Sequence, residues 1–582
     1  MHTSHHSPSP VELALGQDTL TITDISRVAR DHLPVQPLPA EASPGTPLAE
    51  RLDRIMRSAG WVQHTIDEIE AAAQANRPPR AIYSINTGVG DNAGRSALRS
   101  EEDARLLTRN LLLTHAVGVG EPLPIDQARA AILIRANALA QGYSGIRREV
   151  INTLVAMLNR DVIPLMPAQG SLGASGDLAP LSHLALVLSA PVPGEAPHPG
   201  ANGQATYQGQ TMDGAAAMAE AGIPRILLGA KEGVALINGT AVSAGIGALA
   251  WLDASRALAA SQIVLALSLE ALHGFRDAYL PHLHAVRGHA GQVQVAAHVY
   301  DLLRGSTLVR GDVDADLTPD DGPPQDPYSL RVAPVVLGAA HDALQHVHDV
   351  LTREINAATD NPLLFVDEDG PLHLPRRIKA ISGGNFHGAP LGYALDYLKL
   401  VMADVASIAE RRVFTLTDGR LSRGLPPFLI VDPPGEAGLN SGLMLAQYTA
   451  AALVSENKTL AHPASVDSIP SSANREDHVS MCTIAARHAA QVVANVQAVL
   501  GIELLCAWQA LHLRLQQQPG DQPGHAARAV LDYLSTVEIE GEPLRPLARD
   551  VALRPYVDTM IGIIRSGALL DVVQALPRND VP

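Results

Sequence analysis

The chain has 582 residues, of which 46% are hydrophobic and 18% charged, so it can bury the core of a large globular protein. A formal net charge of −17 argues against nucleic acid and anionic membranes as its main partners. Cys482 and Cys506 stand in apolar, helix-like sequence and are expected to be buried free thiols of a reducing compartment. No metal-ligand cluster, signal peptide or membrane-spanning run is recognised, which predicts a cytoplasmic protein.

In chain order, Pro- and Gly-rich loops alternate with long apolar runs. Residues 1–11 are expected to be a disordered tail, and loops are expected at residues 31–47, 191–209, 318–327 and 516–525. Alternation typical of strands is confined to short pieces such as residues 19–22. Strands should therefore contribute little to the fold.

Five apolar runs rich in Ala, Leu and Val are much longer than an average helix, at residues 245–273, 333–358, 390–412, 442–460 and 480–515. Such lengths favour closely packed antiparallel helices. The predicted fold class is mainly α, a long-helix bundle with a mixed N-terminal region that carries a reactive loop. The predicted division is a tail (1–11), an N-terminal region (12–228), the central bundle (229–516) and a C-terminal helical segment (517–582).

The reactive loop is the triplet Ala174-Ser175-Gly176 within residues 170–183. Small residues let the backbone fold back on itself, so the Gly176 amide nitrogen can reach the Ala174 carbonyl carbon. Ring closure and dehydration of Ser175 would release two waters and leave a methylidene electrophile, which no ordinary side chain supplies. A phosphate loop and a nucleophile elbow do not fit the residues after Ser175. The alternative is a simple turn, the commonest role of such Gly/Ser clusters.

Six further segments accompany the triplet along the chain, at residues 83–90, 114–120, 236–240, 325–331, 383–387 and 456–481. Together, and in this order, they resemble the aromatic amino acid ammonia-lyase family, most closely its histidine-specific members. The resemblance implies a methylidene-imidazolone (MIO) formed autocatalytically from Ala174, Ser175 and Gly176, with no external cofactor. It also implies a homotetramer whose active sites draw on more than one subunit.

By the same resemblance, Tyr83 would be the base that removes the substrate β-proton, since a phenolate is basic enough for a weakly acidic C–H bond. Arg331 would hold the substrate carboxylate through a two-pronged hydrogen bond, with Tyr328 and Gln325 lining the same site. Asn238 would hydrogen-bond at the MIO or the carboxylate. The simpler alternatives are a buried core tyrosine, a solvated surface arginine and an Asn-Gly turn.

Substrate choice would depend on three side chains. His115 is expected to contact the imidazole ring and Phe386 to pack on it. Glu476 is expected to accept a hydrogen bond from the ring N–H or to favour the protonated ring. Next to a phenyl ring that carboxylate would be a poorly paired buried charge. Without the resemblance, Glu476 would be read as solvent-exposed.

Several positions depart from the family pattern. Thr114 replaces Ser, and residues 388–392 are nearer the phenylalanine and tyrosine branch than the histidine branch. Arg475 stands where Gln is usual and would neutralise Glu476 if it pointed inward, or be a surface charge if it pointed outward. Val89 replaces the usual Phe of the tyrosine loop, and Ala241 replaces a usual Gln. These differences bear on the substrate more than on the MIO chemistry.

The sequence thus predicts elimination of ammonia from L-histidine to give trans-urocanate. One alternative is an MIO-dependent lyase or aminomutase that acts on a modified histidine or another aromatic amino acid. A catalytically silent homologue is a third possibility. The retention of Tyr83, Arg331 and the triplet together argues against it.

Overall fold

The computed structural model describes residues 12–78, 81–94, 98–311, 324–366 and 379–576. The expected tail (1–11) and most of the expected loop at 318–327 lie outside these residues. Within the described residues nineteen α-helices, α1 to α19 in chain order, span Ile22–Arg30, Pro47–Gln74, Glu101–His115, Ile125–Ala140, Arg148–Asn159, Leu178–Leu188, Gly214–Glu220, Glu232–Ile237, Ala241–Ala271, Pro281–Ala285, Ala290–Leu302, Tyr328–Arg331, Ala333–Glu354, Ala389–Thr417, Met444–Leu460, Cys482–Gln517, His525–Ser535, Leu553–Ser566 and Ala568–Gln574.

Strands are short and form small sheets of two or three. In the described part of the chain, β1 to β11 span Leu13–Ala14, Val35–Gln36, Val119–Pro122, Ile163–Pro164, Pro167–Gln169, Gln204–Tyr207, Gln210–Asp213, Leu363–Leu364, Ala380–Ile381, Glu538–Ile539 and Glu542–Pro543. β1 pairs with β2 in parallel, and the other pairs, β3–β5, β4–β6–β7, β8–β9 and β10–β11, are antiparallel. The predicted class, mainly α with a mixed N-terminal region, is confirmed.

The long helices agree with the apolar runs to within a few residues at most ends. They are α9, α13, α14, α15 and α16. By length and composition, α9 and α16 could cross a membrane, but 72% and 78% of their most apolar stretches are buried inside the structure. That degree of burial is typical of the core helices of a folded protein.

The chain divides into two compact units. The first contains Met1–Leu249, His348–Asp396 and Pro463–Arg487, and the second contains Ala250–Val347, Tyr397–His462 and His488–Pro582. The sequence-based division at residues 228 and 516 stays a prediction.

In the first unit, α4 is buried from Ala128 to Ala140 and packs against α1 and α5. Helices α3, α6 and α8 pack against one another. His115 is the last residue of α3, the Ala174-Ser175-Gly176 triplet lies just before α6, and Asn238 caps the C-terminal end of α8. The packing of these three helices therefore positions the candidate site.

The strand expected at residues 19–22 is wrong. Thr21 instead caps α1: its hydroxyl oxygen accepts from the Asp24 amide, and the Asp24 carboxylate accepts from the Thr21 amide. This reciprocal capping box favours a helix start over local alternation. The loops expected at 31–47 and 191–209 also contain strands, β2 and β6, whose partners Leu13 and Ile163 lie far from them in sequence.

Candidate active site

The reactive triplet lies in a tight bend between β5 and α6. Gly173 and Gly176 both adopt left-handed backbone conformations, with φ of 65° and 70°. A Cβ atom at Gly173 would lie 2.4 Å from Ser480 Oγ, and one at Gly176 would lie 2.3 Å from the Gly239 backbone. Both positions therefore require glycine for backbone geometry and for space.

The backbone around Gly239 supports the other side of this bend. The Asp177 amide donates to the Gly239 carbonyl at 2.7 Å, and the Asn238 side-chain nitrogen donates to the Ser175 carbonyl at 2.9 Å. The Asn238 Oδ1 atom is buried, with no hydrogen-bond partner among the described residues. An unpartnered buried acceptor beside the triplet is costly to leave unsatisfied and is typical of a binding site.

The Asp177 side chain holds the loop in place through hydrogen bonds, a role that the sequence analysis missed. Its carboxylate is fully buried and accepts hydrogen bonds from Ser171 Oγ, Ser243 N, Ser243 Oγ and Thr483 Oγ1, at 2.7 to 3.0 Å. A buried carboxylate with this many donors is well satisfied and fixes its surroundings. The position of Asp177 immediately after the triplet was the one sequence feature that could have indicated this role.

Glu476 reaches the triplet directly, from a loop and not from a helix face. The Ser175 hydroxyl donates to Glu476 Oε1 at 2.6 Å, and Ser471 Oγ donates to Oε2 at 3.2 Å. Backbone hydrogen bonds in both directions between Ser471 and Glu476 close the loop. Glu476 is half-buried, so the expectation of a solvent-exposed glutamate without the resemblance does not hold.

Tyr83 is held in a compact turn. Asn86 is buried and its side-chain oxygen accepts from the Ile82 amide at 2.6 Å, while Thr87 Oγ1 accepts from the Ser84 amide at 3.2 Å. The Gly90 amide donates to the Tyr83 phenol oxygen at 3.2 Å. The phenol is thus an oriented acceptor at the edge of the site.

These side chains meet in one cavity of about 600 Å³ within the first unit. Seven of the expected site residues or their neighbours line it, namely Tyr83, Val89, His115, Ser175, Asn238, Phe386 and Glu476. The volume suits a small-molecule ligand. Ala241, another departure from the family pattern, is buried as the first residue of α9.

Burial lowers the pKa of His115 below its usual value, an effect partly opposed by the Leu111 backbone and by the negative charge of Glu476. The neutral imidazole is therefore the favoured form at neutral pH. A neutral ring can donate one hydrogen bond and accept another, which suits contact with a second heteroaromatic ring.

Arg475 points away from Glu476. Its guanidinium forms an ion pair with Asp91 at 3.2 Å, and the Arg475 side chain is 67% exposed. Of the two orientations considered from the sequence, the structure has the outward one. The substitution therefore leaves the Glu476 carboxylate without a direct cationic partner from its neighbour.

Gln325, Tyr328 and Arg331 belong to the second unit and are not among the described residues that line the cavity. Gln325 is exposed and Tyr328 is 67% exposed. Arg331 stacks over the Tyr328 ring at 4.4 Å and donates to the Asp326 carbonyl at 2.9 Å. Arg331 and Tyr328 are thus presented together on α12 of the second unit.

The residues present fit an MIO. Gly176 has the left-handed conformation and the absent side chain that a tight backbone ring needs, and Ser175 lines the cavity. The Asn238 side-chain nitrogen donates to the Ser175 carbonyl, and, among the residues that the structure describes, the buried Asn238 Oδ1 atom is a free acceptor beside the triplet.

Comparison with known proteins agrees with this geometry. Residues 49–536 match the family model described as aromatic amino acid lyase. The chain is 42% identical to a histidine ammonia-lyase of Caldanaerobacter subterraneus subsp. tengcongensis, over 97% of this chain and 98% of that protein.

Two solved structures are similar over nearly the whole chain. The histidine ammonia-lyase of Trypanosoma cruzi superposes with a TM-score of 0.79 at 33% identity, covering 97% of this chain and 96% of that one. The tyrosine aminomutase of Streptomyces globisporus also gives 0.79, at 30% identity, covering 98% and 100%. On the matched length and the shared architecture, the chain belongs to the aromatic amino acid lyase family.

Proposed function

We propose that the protein eliminates ammonia from L-histidine to give trans-urocanate. The observation that carries this proposal is that Ser175, Tyr83, His115 and Glu476 line a single cavity. A histidine and a carboxylate facing the same small cavity suit an imidazole ring, which has both a donor and an acceptor nitrogen. Relatives named histidine ammonia-lyase, one of them 42% identical over 97% of this chain, support the same substrate.

Ala174, Ser175 and Gly176 would form the MIO, which would supply an electrophile for the substrate amine and so make its nitrogen a better leaving group. Tyr83 takes the β-proton on its phenol oxygen, and the Gly90 amide stabilises negative charge there. Asn238 holds the Ser175 carbonyl. His115 and Glu476 bind the imidazole, and Phe386 packs on its face.

The carboxylate-binding group comes from a neighbouring chain in this proposal. Arg331 is the expected carboxylate fork, and with Tyr328 and Gln325 it is outside the cavity of its own chain. Subunit association is supported by exposed apolar side chains on α14 and α15 of the second unit, namely Tyr397, Leu400, Phe414, Leu445 and Tyr448. We propose a homotetramer, located in the cytoplasm in keeping with two buried free thiols.

An aminomutase or a lyase for another aromatic amino acid is the second candidate. It is favoured by the similarity to a tyrosine aminomutase at a TM-score of 0.79. A phenyl ring would leave the Glu476 carboxylate without a hydrogen-bond donor from the substrate. Histidine is therefore the preferred substrate.

The Ser175→Ala variant tests the proposal. Without the hydroxyl, no methylidene can form, so the variant should lose the two-water mass deficit at this peptide and show no detectable turnover. The matched control is Ser182→Ala on α6, whose hydroxyl donates to the Leu178 carbonyl. The control should keep a deficit of two waters and its turnover; a Ser175→Ala variant with normal turnover would contradict the mechanism.

A further inference from the structure

The Ser175 hydroxyl must leave as water when the MIO forms, and a titratable group already touches it. Ser175 Oγ lies 2.6 Å from Glu476 Oε1, within ordinary hydrogen-bond distance. Dehydration also removes the proton on the Ser175 Cα atom, which is two bonds from Oγ. Two other carboxylates of the described residues need to be considered: Asp91, which lines the same cavity and is paired with Arg475, and Asp177, which follows the triplet.

Asp177 is unsuited to this step because its oxygens are already engaged. The Asp177 carboxylate is fully buried and accepts hydrogen bonds from Ser171, Ser243 and Thr483. Glu476, by contrast, accepts only from Ser471 and Ser175 among the hydrogen bonds of the described residues, and it lines the open cavity. It can therefore gain and lose a proton without disrupting a buried network.

The loop that carries Glu476 fixes the orientation of its carboxylate. Backbone bonds join Ser471 and Glu476, and the residues between them include three consecutive left-handed conformations at Ser472, Ala473 and Asn474, with φ of 50°, 51° and 68°. Non-glycine residues rarely adopt this conformation, which costs on the order of 1 kcal/mol each. Such strain is typical of loops that hold a functional group in position.

We propose that Glu476 catalyses the dehydration of Ser175 during MIO formation. The carboxylate takes the Cα proton of Ser175 and delivers it to Oγ as the Cβ–Oγ bond breaks. The C–H electron pair becomes the Cα=Cβ double bond, one water departs and the carboxylate is regenerated. The other water comes from attack of the Gly176 nitrogen on the Ala174 carbonyl, so the step needs no oxidant or external reactant.

This inference rests on the proposed function, because it concerns how the MIO of that mechanism forms. It adds that Glu476 acts before any substrate binds, so its effect can be read on the protein itself. Turnover alone cannot separate this role from imidazole binding, whereas the mass of the triplet-containing peptide can.

The test is peptide mass analysis of freshly purified wild-type protein and the Glu476→Gln variant, each checked for folding by thermal melting. Wild-type peptide should lack two waters. Glutamine keeps the size and a hydrogen bond but cannot relay a proton, so its peptide should lack at most one water. Glu476→Asp keeps the acid and should reach the full deficit more slowly, which preserves the test should the Gln variant fold poorly.

The matched control is Arg475→Gln, at the adjacent residue, whose side chain is exposed and paired with Asp91. It should lack two waters, as wild type does. A Glu476→Gln peptide that lacks two waters as quickly as wild type would overturn the proposal. A wild-type peptide of full mass would overturn both this inference and the proposed function. The wild-type mass therefore separates failure of the proposed function from failure of this inference alone.

Discussion

Single glycines decide whether the reactive loop can form its bend. Gly173 is left-handed, and an added Cβ would lie 2.4 Å from Ser480 Oγ and 2.5 Å from Cys482 Sγ. Gly173→Ala should therefore combine backbone strain with overpacking and cost roughly 2–4 kcal/mol of unfolding free energy. Denaturant unfolding of the variant measures this cost directly.

Gly194→Ala is the matched control for that substitution. Gly194 is also left-handed, with φ of 81°, but no described atom lies within 4 Å of its added Cβ. Its replacement should cost about 1 kcal/mol, from backbone strain alone. Equal losses in the two variants would show that the loop yields to the extra atom and that its packing is less tight than described.

At the residue scale, the sequence motifs named side chains that share one cavity but not the contacts that hold them there. The resemblance predicted that Tyr83, His115, Ser175 and Glu476 belong together, and the structure brings them to one cavity. The contact between Ser175 and Glu476 joins residues that lie 301 positions apart, so no local pattern predicts its geometry. The Asp177 network was missed for the same reason, because its partners come from three separate segments.

At the scale of elements, the end of one helix and the start of another meet at Glu270. This residue lies near the end of α9, and its carboxylate accepts from the amide of Gly524, which begins α17. Burial raises the pKa of Glu270 to about 8, an effect partly opposed by the Gly524 hydrogen bond. The folded protein therefore keeps this proton at pH values where the unfolded chain, at the usual pKa of 4.5, has lost it.

The sign of the pH effect follows from this difference. Between about pH 4.5 and pH 8 the folded state binds more protons, so the stabilising contribution of Glu270 is present below that range and is lost as pH rises through it. Glu270→Gln should remove this slope and gain stability relative to wild type, by a few kcal/mol at pH 8. Denaturant melts of both proteins at pH 5 and pH 8 measure the difference, and parallel stability curves would contradict the assignment.

The length and apolar composition of the long helices made them predictable, and most ends fell within a few residues. The short strands were not predictable, because they have only two to four residues and several pair with a distant segment, as Leu13 does with Val35. The piece at residues 19–22 shows the opposite case, since its two threonines suited a strand but the Thr21–Asp24 capping box begins a helix.

At the scale of the whole molecule, the proposed sharing of active sites between chains predicts complementation. Ser175→Ala lacks the electrophile and Arg331→Ala lacks the carboxylate fork, so each variant alone should be inactive. When both are co-expressed, mixed tetramers contain some sites with neither change. Activity should therefore return to a measurable fraction of the wild-type rate.

The control for complementation carries both substitutions on one chain. Co-expressed with Ser175→Ala, that double variant leaves every site without the electrophile, so turnover should stay absent. No recovery in the test pair would contradict an active site built from more than one chain, and recovery in the control would contradict the requirement for Ser175.

The most direct measurement of the central claim is turnover of L-histidine, L-phenylalanine and L-tyrosine by the purified protein, with free ammonia assayed beside the absorbance of the conjugated acid. We expect histidine to have the highest kcat/KM of the three, with one ammonia released for each acid formed, and kcat/KM for phenylalanine to be lower by about 100-fold or more, because a phenyl ring offers Glu476 no hydrogen-bond donor. Preferred turnover of phenylalanine or tyrosine, or loss of histidine without release of ammonia, would contradict this expectation.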